Sequence, residues 1–127
     1  MQPELEVVDP LCVGAEFAPV FFAFGSAELD ASEFGDITDN ALTLRTCADI
    51  CIAVEAYTDD LETDQQTLSQ ARADAVQSQY QAEGIPPSRV SPQGLGQDPD
   101  ANSSGTPAQG DPQARRADSV PTTCPQP

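Results

Sequence analysis

The sequence predicts an α/β fold, a two-layer α+β sandwich in which a mixed βαβαβ(β) sheet carries its helices on one face. Three observations predict it. Apolar residues at period two alternate along the chain with longer stretches at period 3.6. Residues that open and close helices, such as Asp30, Thr63 and Gly84, fall between those stretches. Two strand-to-strand crossovers of one hand then place both helices on the same side of the sheet.

The elements follow in order. Residues 20–24, VFFAF, are aromatic and apolar and read as a buried strand that Gly25-Ser26 breaks. Asp30 with Glu33 resembles a capping box opening a first helix. Its apolar positions, Phe34, Ile37, Ala41, Leu44 and Ala48, advance in alternating steps of three and four, as one face of a helix does. Ile50, Ile52, Val54 and Ala56 alternate with Cys51, Ala53, Glu55 and Tyr57, the period of a half-buried strand. Tyr57-Thr58-Asp59-Asp60 follows as its end loop. Thr63 and Gln66 form a second capping box, and the helix behind it turns Leu68, Ala71, Ala75 and Val76 to a core and ends near Tyr80. Gly84 is placed as the stop, with Pro86 and Pro87 beyond. Residues 89–92 read as a short third strand. Pro92 cannot donate to a ladder, so that strand belongs at an edge. Gly94-Leu95-Gly96 turns the chain out into a long loop over 97–113. Residues 115–120 are a weakly patterned fourth strand. The division expected is a lead segment, 1–17, one domain, 18–120, and a tail, 121–127.

Composition narrows the function. The chain has 127 residues, enough for one ordinary domain. Its formal net charge is -16, from 21 acidic residues against five arginines, which argues against nucleic acid and anionic lipid surfaces as partners. There is no histidine, so imidazole-based metal or general-base sites are excluded. Neither is there lysine, and no cysteine sits in a basic setting, so no activated nucleophile is legible and the chain reads as a non-enzyme without a cofactor. Asp98, Asp100, Asn102 and Asp111 lack the ordered spacing of an EF-hand. No stretch approaches the roughly 20 apolar residues of a membrane helix. The first residues, MQPELEVVDP, are acidic where a secretory leader is basic, and Pro-Leu-Cys-Val lacks the small residues of a lipoprotein cleavage box, so neither leader nor anchor is read there.

The segment Ala56-Tyr57-Thr58-Asp59, followed by Leu68-Ser69-Gln70-Ala71-Arg72-Ala73-Asp74-Ala75-Val76, resembles the C-terminal peptidoglycan-binding domain of the OmpA, Pal and MotB proteins. Their pattern is G-[HY]-T-D, then N-x-x-L-S-x-x-R-A-x-x-V. Val20-Phe21-Phe22 with Ser26-Ala27-Glu28-Leu29, Gly84-Ile85-Pro86 with Arg89-Val90, Gly94 to Pro99, and Arg115-Arg116 agree in the same order. The resemblance covers residues 18 to 120. It implies a periplasmic, envelope-associated domain of a Gram-negative cell, its parent associated with the outer membrane. It also implies a ligand, the free amino-acid end of diaminopimelate in the wall's stem peptide. By resemblance Asp59 takes the ligand's ammonium and Arg72 its carboxylate, with Thr58 beside Asp59 and Arg115 supporting from the last strand. Several positions depart from the pattern. Ala56 replaces a glycine, Gln65 and Ala114 replace asparagines, and Gly25 replaces a polar residue. Gln65 stays among the ligand-binding candidates.

The chemistry is coherent without the resemblance. An amino-acid head carries opposite charges a few ångströms apart, and a carboxylate with a guanidinium at matched spacing reads both. Asp59 leaves the C-terminal end of a strand, where α/β folds place ligands. The plainer alternative is that Asp59 and Arg72 pair with each other. A second alternative is a structural or protein-interaction domain that has lost wall binding.

Cys12, Cys47, Cys51 and Cys124 are an even set in a small acidic domain and read as two disulfides formed in an oxidising compartment. With an antiparallel last strand all four gather at the pole opposite Asp59. Four cysteines allow three pairings. Pairing 12–124 with 47–51 is preferred because it ties the two ends together; 12–47 with 51–124 stays open.

Overall fold

A computed structural model of the chain describes residue 12 and residues 14–104 and 110–124. Most of the expected lead segment, the middle of the long loop and the last residues of the expected tail lie outside the described residues.

Four strands form one sheet in the order β1-β4-β2-β3, with β1 at Val20–Phe21, β2 at Cys51–Thr58, β3 at Val90–Gln97 and β4 at Arg116–Thr122. β3 runs parallel to β2, and β4 runs antiparallel to both β1 and β2. Two helices, α1 at Phe34–Thr46 and α2 at Gln65–Ala82, cover one face. The core lies between the layers. Ile52, Val54 and Ala56 project from one side of β2 by the period-two rule and meet Ile37, Ala41 and Leu44 of α1 and Ala73, Val76 and Tyr80 of α2. This is the two-layer mixed α/β fold expected, with the expected element order.

Boundaries differ where a neighbour overrides local pattern. β1 is shorter than expected, since Phe22 pairs its N–H with the Arg115 carbonyl and the chain then leaves the sheet, with Phe24 exposed. α1 ends at Thr46, leaving Ala48 outside it and exposed. Neither capping box forms. Asp30 accepts from the Ser32 N–H, while the Glu33 carboxylate is drawn to the Phe21 N–H. The residue capping α2 is Asp64, in the left-handed region at φ 51, and Gln66 reaches the Gly94 carbonyl. The buried stripe of α2 is Ser69, Arg72, Ala73, Val76 and Tyr80, with Ala71 exposed, so the helix is rotated from the expected face to bury a guanidinium.

β3 is the edge strand that Pro92 requires, but it does not stop there. Gly94 and Gly96 stay in the strand, and at Gly94 α2 lies almost on its backbone. A Cβ on Gly94 would stand 2.3 Å from the backbone nitrogen of Gln70. The Gly94 and Gly96 N–H groups donate to the Gln70 and Ser69 side chains. Gly94 therefore marks close approach, while Gly96, at φ +72, supplies the left-handed residue where the β2–β3 register shifts.

β4 runs to Thr122, past the expected strand end, and opposite Cys51. That register brings Cys124 back to the first residue of β2. The disulfides are Cys12–Cys47 and Cys51–Cys124, with Cα separations of 5.6 and 4.9 Å. The preferred pairing of 12–124 with 47–51 is thus overturned and the open alternative is the one formed. Both bridges sit at the start of β2, about 25 Å of strand away from its other end.

Proteolytic mapping without reductant should recover peptides linked 12–47 and 51–124; a 47–51 link would contradict the β2–β4 register. Replacing Cys51 and Cys124 by alanine should lower the unfolding free energy by about 2–5 kcal/mol in urea melts.

Candidate functional site

The far end of β2 collects the predicted residues. Thr58 is the strand's last residue and Asp59 the first beyond it. A short loop carries Glu62 back toward the core, α2 starts at Gln65, and Arg72 lies two turns in. Arg115 precedes β4, which begins beside β1. The topology therefore brings Thr58, Asp59, Gln65, Arg72 and Arg115 to one pole.

Asp59 and Arg72 are both fully buried, and they do not pair with each other. Among the described residues the Asp59 carboxylate accepts from four groups. Its Oδ1 takes the Leu61 and Glu62 N–H groups at 3.0 and 2.8 Å. Its Oδ2 takes the Asp111 N–H and the Arg115 guanidinium, each at 3.0 Å. Arg115 also donates to the Phe22 carbonyl, which joins this carboxylate to the exit of β1. Gly110 is required beside it, because at φ +74 its Cβ position lies 2.0 Å from Asp59 Oδ2.

Arg72 pairs with Glu62. Both guanidinium NH groups meet the two carboxylate oxygens, NH1 with Oε1 at 2.8 Å and NH2 with Oε2, and both side chains are wholly buried. The remaining donors reach three carbonyls: Nε to Ser26, NH1 to Tyr57 and NH2 to Ala23. All five donors are matched, and the Phe22 ring lies 5.2 Å below the guanidinium carbon. Glu62 completes the network by accepting the Asp59 N–H on Oε1 and the Gly25 N–H on Oε2. Gly25, at φ +70, stands where its N–H can do this.

The other candidates take lesser parts. The Thr58 hydroxyl donates to the Asp59 carbonyl. Gln65 donates to that same carbonyl and to the Gln97 side chain. Ala114 is buried and contributes no polar group. Glu62 was not among the sequence candidates. It stands in an acidic run, Asp59-Asp60-Leu61-Glu62-Thr63-Asp64, and nothing in the run distinguishes it. The available signal was indirect, since an arginine on a buried helix face demands a counter-charge nearby.

Beside the network lies a cavity of about 330 Å³, walled by Phe24, Gly25, Leu61, Glu62, Leu68 and Ala71, among others. Neither Asp59 nor Arg72 lines it. Phe24 and Leu61 are exposed at its mouth.

The acidic loop residues are engaged elsewhere. Asp98 binds Arg116, which also reaches Asp118 and lies 4.6 Å over the Tyr57 ring. Asp111 accepts from Asn102 and Gln113 N–H groups. Among the described residues no group of three or more acidic or cysteine side chains could hold a metal ion. Burial pushes the Asp98 carboxyl up, but hydrogen bonds from Arg116 and the Asp100 N–H outweigh it and hold it below its ordinary value.

Removing one partner of a wholly buried pair leaves the other charge stranded, so Arg72→Ala should cost about 3–5 kcal/mol in urea unfolding. Arg72→Lys should recover only part, because an ammonium cannot form the two parallel bonds. The depressed Asp98 value stabilises the fold fully above 3.8, its ordinary value, and that stabilisation is lost as pH falls through the folded value below it. The stability gap between the parent and Asp98→Asn, measured by urea melts, should therefore shrink as pH is lowered from about 5 to about 2.

No helix among the described residues is long and apolar enough to cross a membrane. No curated protein matches the chain. Solved structures do. The peptidoglycan-associated lipoprotein from Burkholderia pseudomallei is 24% identical, with a TM-score of 0.76 over 90% of this chain and 100% of that one. The C-terminal domain of Helicobacter pylori MotB is 20% identical, with a TM-score of 0.74 over 84% of this chain and 85% of that one. A putative MotB-like protein from Desulfovibrio vulgaris is 23% identical, with a TM-score of 0.69 over 84% of this chain and 70% of that one. At these identities the likeness is one of fold. The sequence model of the OmpA family matches residues 21–120, most of the chain, and the chain belongs to that family.

Proposed function

We propose that the chain is a non-catalytic domain of the periplasmic envelope that binds peptidoglycan without a covalent bond, through the diaminopimelate of the stem peptide. Its parent would be associated with the outer membrane. The observation that carries this reading is the convergence of Asp59, Arg72 and Arg115 on one pole, beside a cavity walled by Phe24, Gly25 and Leu68. A zwitterionic head needs an anion for its ammonium and a guanidinium for its carboxylate, and this pole holds both. Asp59 is assigned to the ammonium and Arg72 to the carboxylate, with Thr58, Gln65 and Arg115 around them. The name of the Burkholderia relative, a peptidoglycan-associated lipoprotein, supports the same ligand. The lack of histidine and lysine is consistent with a binding role.

A second reading is favoured by one observation. Arg72 is already matched by Glu62. A domain that kept the fold for structural or protein-interaction purposes, and gave up the wall, would have this arrangement.

Co-sedimentation with purified wall sacculi separates the two. The wall reading expects saturable binding that free diaminopimelate competes away. Folded protein that stays in the supernatant at every sacculus concentration would leave only the structural reading.

A further inference from the structure

The Arg72–Glu62 contact has the form of ligand recognition. Two parallel N–H groups on a planar guanidinium face two oxygens of a carboxylate, the geometry by which arginine reads a free acid. The acid is supplied by a loop rather than by a helix or strand. Leu61, Thr63 and Asp64 around it are exposed, and Glu62 alone among these is turned inward. It is also the residue that stands between the cavity and the guanidinium, for Glu62 lines the cavity and Arg72 does not.

We propose that Glu62 is a resident occupant of a carboxylate seat at Arg72, filling from within the place that a ligand's carboxylate takes. The seat itself follows from the geometry; the identity of the incoming ligand rests on the wall-binding reading. Two consequences follow from the chemistry. A ligand bearing a carboxylate engages Arg72 only in the fraction of molecules whose Glu62 has swung out, so its apparent affinity is lowered by that fraction. A neutral ligand gains nothing from that swing, because it cannot replace the charge that Arg72 would lose.

Glu62→Ala removes the occupant and joins the cavity to the guanidinium. The full chain carrying it should melt below the parent. Acetate should raise its melting temperature saturably and leave the parent unmoved, while acetamide, neutral and of the same shape, should do nothing. Free diaminopimelate should bind the variant at least about tenfold more tightly than the parent, if Glu62 is seated in nine molecules of ten or more. Acetate no better than acetamide, or equal diaminopimelate affinity in variant and parent, would overturn the proposal. Acetate rescue with no diaminopimelate binding in either protein would keep the seat and remove the wall reading. Should Glu62→Ala fail to fold even in acetate, Glu62→Gln decides. It keeps the shape and loses the charge, so tighter diaminopimelate binding than the parent supports the seat and unchanged binding sinks it.

Discussion

The guanidinium of Arg72 is the constraint on which the rest of this pole depends. A charge that leaves water at a cost of several kcal/mol must find every partner inside the protein. Here it does so by holding four segments at once: the chain after β1 through Ala23 and Ser26, β2 through Tyr57, the loop before α2 through Glu62, and α2 itself. The exit of β1, the end of β2 and the rotation of α2 are thereby fixed relative to one another. The Asp59–Arg115 pair is a second knot joined to the first through the Asp59 and Glu62 backbone and side chains. Neither knot resembles a surface ion pair, whose contribution is small.

This dependence explains which parts of the fold were legible. The period-two run around Ile52, Val54 and Ala56 announces a strand because its side chains meet a core on one face. Pro92 announces an edge because a missing N–H can be tolerated only there. The face that α2 buries departs from the expected one for a physical reason. Apolar periodicity cannot register a helix that buries Ser69 and Arg72 in place of aliphatic residues. β3 runs longer than expected because the same glycine that ends a strand in one context permits a helix to press on it in another, and only the position of Gln70 distinguishes them.

The site was legible in part. Asp59 and Arg72 could be placed at one pole from chain order and strand direction, and Arg115 beside them only through the family resemblance. Their partners could not, since pairing among several acids on one loop is decided by which side chain turns inward. The cysteines behave alike. Their gathering at the opposite pole followed from an antiparallel last strand, whereas their pairing needed the register of Cys51 against Thr122. The molecule thus has a covalent pole, held by two disulfide bridges, and an ionic pole, held by buried charged side chains.

All five arginines are turned to the protein's own use. Arg45 donates to the Glu83 carbonyl and Arg89 to those of Cys47 and Ile50, while Arg72, Arg115 and Arg116 serve the networks above. The 21 acidic residues outnumber them fourfold, so the chain as a whole is strongly negative. Such a chain gathers a cloud of cations about a Debye length deep, roughly 10 Å at 0.1 M salt. The domain's approach to any polymer carrying anionic groups is then governed by the ionic strength of its compartment. A dilute medium holds it off, and a saline one, by screening the repulsion, lets it close.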